Sequence, residues 1–127
     1  MYWRNILTAT SPIGLEDRLA HARFTALADP TRLAILTLLR QRDQCVCHLV
    51  EALRMKQSIV SYHIAILRRA GLITSWPHPT DRRWLYYTLD RSALEQIAGY
   101  IGWLTDEGEY DPDPLPCAAD GLRGSGS

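Results

Sequence analysis

Apolar residues recur along this chain with two different periods. Leu15, Leu19, Ala22 and Ala26 fall on one helical stripe and predict a first helix over 15–28, with Glu16 and Asp17 in the turn where the helix dipole favours acids. Asp29 then offers an N-cap and Pro30 a first helical position, so a second helix runs to about Arg40 through Leu33, Leu36 and Leu39. Val46, Leu49, Val50 and Leu53 repeat at i, i+3, i+4 and i+7, the spacing of a helix that buries one face. Arg54-Met55-Lys56 leaves room for a tight turn only, after which Ile59, Val60, Ile64 and Leu67 resume helical spacing. Gly71 supplies the stop, preceded by Arg68 and Arg69 where the dipole favours cations. A short helix, a turn and a second helix form a helix-turn-helix.

Past Gly71 the pattern changes to two β-rich runs, 72–76 and 84–89, around a tip of Pro77, Pro79, Asp81, Arg82 and Arg83. A hairpin with a basic tip directly after a helix-turn-helix is a wing. Asp90 to Leu104 closes the pattern as a last helix, with Leu94, Ile97, Ala98, Ile101 and Leu104 on a stripe suited to a partner helix and Tyr100 and Trp103 beside it. The expected fold class is mainly α with a β-hairpin wing, a winged helix-turn-helix over 15–105. Residues 1–14 are an N-terminal extension, 106–120 an acidic Pro-rich tail, and 121–127 Gly/Ser-rich tail residues set aside from the fold.

At 127 residues and 46% apolar, the chain forms one small domain, short of core for so much helix, which favours dimerisation through helix faces. Residues 1–14 lack a basic region followed by a long apolar run, and no 18 consecutive residues are apolar, so a soluble, cytoplasmic protein with no membrane partner is expected.

The zero net charge conceals an asymmetry. From Arg54 to Arg83 six Lys or Arg face a single acid, Asp81, whereas Trp84 to Asp120 holds one Arg against eight acids. Off the buried face of the second helix of the motif lie Gln57, Ser58, Ser61, Tyr62 and His63, groups that reach base edges or phosphates. Alone they could be an ordinary solvated face. The adjoining wing and the excess of basic residues, Arg68, Arg82 and Arg83 among them, point to a surface that neutralises phosphates.

Cys45, Cys47 and Cys117 are an odd number of cysteines without framework spacing, which argues for free or metal-bound thiols rather than disulfides. Residues two apart on an α-helix point in nearly opposite directions, whereas on extended chain they share a side. Cys45 and Cys47 can therefore hold one ion only if the segment is not yet helical or if binding distorts the helix start. Otherwise they are two small core residues. His48 beside them reads as a surface residue in a first turn, although it could be a ligand. His21 and His78 show no partner.

Phe24 to Leu36 (FTALADPTRLAIL), Gln57 to His63 (QSIVSYH), Leu67 to Ile73 (LRRAGLI) and Arg82 to Tyr87 (RRWLYY) resemble, in order, the arsenic-repressor (ArsR/SmtB) family of bacterial winged-helix sensors. The resemblance spans about residues 15–105. It implies a homodimeric repressor, paired through its first and last helices, that sits on an inverted repeat of operator DNA and leaves it when a toxic metal or metalloid binds. Cys45-Val46-Cys47 stands where arsenic repressors carry their Cys-Val-Cys, which implies As(III), with Sb(III) beside it, as the inducer. The third cysteine of that pattern is replaced here by Val50. Arsenite prefers three soft thiolates around its lone pair, and the remaining thiol is Cys117, in a tail able to reach its own pair or the partner's. A spare thiol is the other reading of Cys117. A Cd(II)- or Pb(II)-responsive repressor is the alternative, because relatives with Cys-Val-Cys and terminal cysteines take those ions. The last helix has no His, so the zinc-sensor site of the family is not expected there. Neither a phosphate-type Gly-rich loop nor a nucleophile elbow is present, and no enzyme activity is expected.

Overall fold

The computed structural model describes residues 18–117. The chain runs α1 (Arg18–Leu27), α2 (Pro30–Gln41), β1 (Gln44–Cys45), α3 (Val46–Leu53), α4 (Gln57–Arg69), β2 (Ile73–Pro77), β3 (Leu85–Leu89) and α5 (Arg91–Thr105), followed by a 3₁₀ turn at Glu107–Glu109. The start of the expected first helix, with Glu16 and Asp17, lies outside the described residues, as do 1–14 and 121–127.

Local chemistry sets the boundaries. The Asp29 carboxylate accepts the Arg32 N–H at 3.0 Å and Pro30 opens α2. The Arg32 guanidinium turns back to donate to the Ala26 and Thr25 carbonyls, satisfying the open end of α1. Asp90 caps α5 in the same way through the Ala93 N–H. Arg54 ends α3 in the left-handed region, φ 55°, which turns the chain sharply enough for α4 to start at Gln57. At the far end of α4, Gly71 (φ 72°) completes a Schellman motif: its N–H reaches the Arg68 carbonyl and the Leu72 N–H reaches that of Leu67.

Ile35, Leu39, Leu49, Val60, Leu67, Leu72 and Ile73 are fully buried and join α2, α3, α4 and the sheet into one core. Each fully buried Leu, Ile or Val stabilises the fold by about 1.5–3 kcal/mol. Three residues assigned to buried stripes by periodicity are instead well exposed: Leu19, Leu33 and Ile59. A 3.6-residue period marks a face of a helix, but only the neighbours decide how much of that face is covered.

The hairpin is antiparallel, with Trp76 opposite Tyr86 and Ile73 opposite Leu89. A third strand, which the periodicity did not reveal, is short: β1 pairs with β3, placing Cys45 opposite Tyr86 and Gln44 opposite Tyr87. Alternation along β3 sends Tyr87 and Leu89 to the core and leaves Tyr86, with Trp76 and Cys45, on the other face. Asp43 fastens this edge by accepting from the Trp76 indole at 2.8 Å and from the Thr88 hydroxyl.

Candidate functional site

The strand at Gln44–Cys45 resolves the geometry of the thiol pair. Cys45 is the extended N-cap residue of α3 (φ −87°, ψ 170°), and Cys47 lies in the first helical turn. With the break from strand to helix falling between them, both sulfurs face the same side, and the structure joins them as a disulfide with Cα atoms 5.4 Å apart. The sequence argued for free or metal-bound thiols rather than disulfides, and for Cys45 and Cys47 the structure corrects that expectation. Odd count and spacing exclude a framework of long-range staples, and this bridge is not one, because a closure over two residues constrains almost none of the chain.

His48 does not behave as a bystander. From the third helical position its Nδ1 accepts the Cys45 N–H at 3.3 Å, the return half of a capping box, and lies 3.2 Å from Cys45 Sγ. Among the described residues Cys45, Cys47 and His48 form the group able to hold a metal ion, with ligand atoms within 4.8 Å of one another. Cys45 is buried while Cys47 and His48 are exposed. Cys117 is exposed in the segment after the 3₁₀ turn and is not part of this group.

The trio opens into a recess of about 260 Å³ whose remaining walls are His78, Trp84 and Tyr86. Tyr86 is held by stacking, against Trp76 with ring centroids 4.5 Å apart and against His78 at 5.6 Å. His78 Nδ1 accepts from the Thr80 and Asp81 N–H groups, so the imidazole also shapes the wing tip. Sequence reasoning missed His78, Trp84 and Tyr86. Their signal was the outward aromatic alternation of the hairpin, which acquires meaning only once β1 lies beside β3.

The other candidate surface is α4 with the wing. Gln57, Ser58, Ser61 and Tyr62 are exposed along α4, and Arg68 is exposed at its end. His63, expected to face outward with them, has a side chain only 12% exposed, with Nδ1 3.1 Å from Arg32 Nη1 and 3.8 Å from the Asp29 carboxylate. It falls on the edge of the helix that meets α2, where it ties α4 to the start of α2. Arg82 and Arg83 are both exposed at the tip, but they differ. The Arg83 guanidinium makes a bidentate pair with Asp81, at 3.0 and 2.8 Å, while Arg82 extends beside it. The Arg83 side chain beside Asp81 lowers the pKa of that carboxyl from its ordinary value, and the Arg32 N–H does the same for Asp29. No described helix is long and apolar enough to cross a membrane.

Residues 29–75 match the pattern of the family described as "Bacterial regulatory protein, arsR family". The chain is 36% identical over 107 residues to an arsenic resistance transcriptional regulator of Pseudomonas putida, covering 79% of this chain and 78% of that one. It is 46% identical over 80 residues to the arsenical resistance operon repressor of Bacillus subtilis, covering 62% and 70%. A crystal structure of a possible transcriptional regulator for arsenical resistance superimposes with a TM-score of 0.55 at 32% identity, covering 65% of this chain and 84% of that one. An ArsR-family transcriptional regulator superimposes with a TM-score of 0.63 at 22% identity, over 73% and 93%, a likeness of fold.

Proposed function

The chain belongs to the arsR family of bacterial regulatory proteins, transcriptional repressors that bind DNA and are not enzymes, and from that premise we propose that it is released from its operator by As(III), with Sb(III) as a second inducer. The observation that carries this reading is the shared orientation of Cys45 and Cys47 at the start of α3, with His48 against them. Two soft sulfurs on one side suit a thiophilic ion, provided the disulfide is reduced. Cys45 and Cys47 would hold the inducer, with Cys117 of the same or the partner chain as the third thiolate. The inducer supplies a rigid link between the sulfurs, and the rest of the response belongs to the protein.

Cys45 lies in β1, paired to the wing strand at Tyr86, and caps α3, whose Leu49 packs in the same core as Val60 and Leu67 of α4. A pull at this residue therefore reaches both the wing and the reading helix. In a homodimer pairing α1 and α5, two reading helices must meet half-sites about one helical turn apart, so a small change of pose in each subunit is felt twice. The exposed Ile101 and Leu104 on α5 supply apolar surface for that pairing. A coupling of about 1–3 kcal/mol between inducer and DNA is typical of such linked sites. Gln57, Ser58, Ser61 and Tyr62 would read the operator, an inverted repeat, with Arg68, Arg82 and Arg83 on phosphates, in the cytoplasm.

The direct test is operator binding followed by fluorescence anisotropy at fixed salt, with reduced protein titrated with arsenite. Cys45→Ser with Cys47→Ser should keep DNA affinity and lose the response; release of that variant by arsenite would remove the site. Cys117→Ser decides whether the tail provides the third thiolate. His48 favours a second reading, because a nitrogen donor beside two sulfurs suits Cd(II) better than arsenite. Release by Cd(II) or Pb(II) but not by arsenite would transfer the role to those ions.

A further inference from the structure

The structure brings two sulfurs together, Cys45 and Cys47, where inorganic arsenite takes three, and beside them it offers something arsenite does not use. The recess of about 260 Å³ between the cysteines and the wing is walled by the rings of Trp84, Tyr86 and His78. An apolar cavity of roughly 150 Å³ is enough to hold benzene. Tyr86 is also fixed in place: it lies opposite Cys45 in the strand ladder, with Trp76 and His78 stacked against it.

We infer that this site takes monosubstituted trivalent organoarsenicals, R–As(OH)₂, with arsenic on Cys45 and Cys47 and the carbon group R against Trp84 and Tyr86. The inference rests on the thiol-site reading above and narrows its ligand class. In such a compound one arsenic position is already occupied by carbon, so two thiolates complete the three-coordinate centre. Two equivalents of a monothiol first open the Cys45–Cys47 disulfide by exchange and become a disulfide themselves. The two protein thiols then replace the two hydroxyls: two As–O bonds break, two As–S bonds form, each thiol proton leaves in a water molecule, and no oxidation state changes. His78 is a wall and not a ligand: its Nδ1 accepts the wing-tip N–H groups, and it lies outside the group of Cys45, Cys47 and His48 whose ligand atoms are within 4.8 Å of one another.

The test uses full-length protein reduced with a phosphine, titrated with phenylarsine oxide and separately with arsenite, and followed by tryptophan quenching and by counting the thiols consumed. One phenylarsine should consume two thiols, in wild type and in Cys117→Ser alike. Trp84→Ala and Tyr86→Leu should each weaken phenylarsine about five- to tenfold, the size of one lost aromatic pair, while moving arsenite by less than roughly twofold. Trp84 is 48% exposed, so its removal does not threaten the fold. Parallel weakening of both ligands, or no change in either, overturns the aromatic subsite while leaving the thiol site standing. Retention of both ligands by Cys45→Ser with Cys47→Ser overturns the thiol site and the inference with it.

Discussion

Replacing Gly71 by alanine tests how α4 is joined to the wing. Gly71 has φ 72°, and its N–H and that of Leu72 close the end of α4. A side chain held in the left-handed region costs about 1–2 kcal/mol, offset by about 0.4–1 kcal/mol because alanine leaves the unfolded chain less freedom than glycine. The new Cβ would also lie 3.3 Å from Arg23 Nη2, close enough that the guanidinium must give by a few tenths of an ångström. Arg23 is not idle there: its Nε donates to the Ala70 carbonyl at 3.0 Å and its Nη1 to Gln96 on α5 at 2.6 Å. The net expectation is a loss of about 1 kcal/mol, or about 4–8 °C in Tm for a unit near 100 residues. Urea and thermal melts at fixed protein concentration measure it. Gly71→Asn separates backbone from space, since asparagine is larger but tolerates the left-handed region. If backbone conformation dominates, Asn is the milder change. Unchanged stability in Gly71→Ala, or a greater loss with Asn than with Ala, would refute this account.

Leu49→Ala, at a fully buried position joining α3 to the core, should lose about 2–5 kcal/mol in urea unfolding; a loss below the cost of an exposed leucine would mean that α3 is not packed as described. Asp29 and Asp81 have folded pKa values lowered by the Arg32 N–H and the Arg83 side chain respectively. Their contribution is therefore present above the unfolded carboxylate value near pH ~4 and lost as pH falls through the folded values. Acid melts of Asp29→Asn with Asp81→Asn should be flatter in that range than those of wild type, and identical slopes would contradict both contacts. Arg82→Ala should lower DNA affinity across sequences and reduce the salt slope by about 1, as loss of one phosphate contact does; an unchanged slope would take Arg82 off the DNA.

Helix boundaries and the helix-turn-helix were legible because their causes are local. Asp29 and Pro30 start α2 by capping, Gly71 ends α4 by its left-handed φ, and the apolar periods of α3 and α4 select the faces that pack. The two β-rich runs announced the hairpin for the same reason. Cys45 and Cys47 were visible as a pair, and helix geometry alone left two ways for them to share an ion, an extended start or a helix distorted by binding; the strand at Cys45 is the first of these.

What remained hidden depends on pairing between segments distant in sequence. Two residues of strand are too short to show a period, so β1 became evident only when β3 came to lie beside it, and that pairing holds Cys45 extended and sets Tyr86 opposite it. His48 looked like any exposed first-turn residue until the cap returned its Nδ1 to Cys45. His63 shared the outward polar pattern of α4, yet its side chain meets Asp29 and Arg32, because which edge of a polar face is covered depends on where the neighbouring helix crosses. By itself the sequence determined the helices, the hairpin and the thiol pair, through caps, periods and backbone preferences that act within a few residues. Tertiary structure alone decided what surrounds the pair, since the aromatic wall comes from another part of the chain and reaches the sulfurs only through strand register.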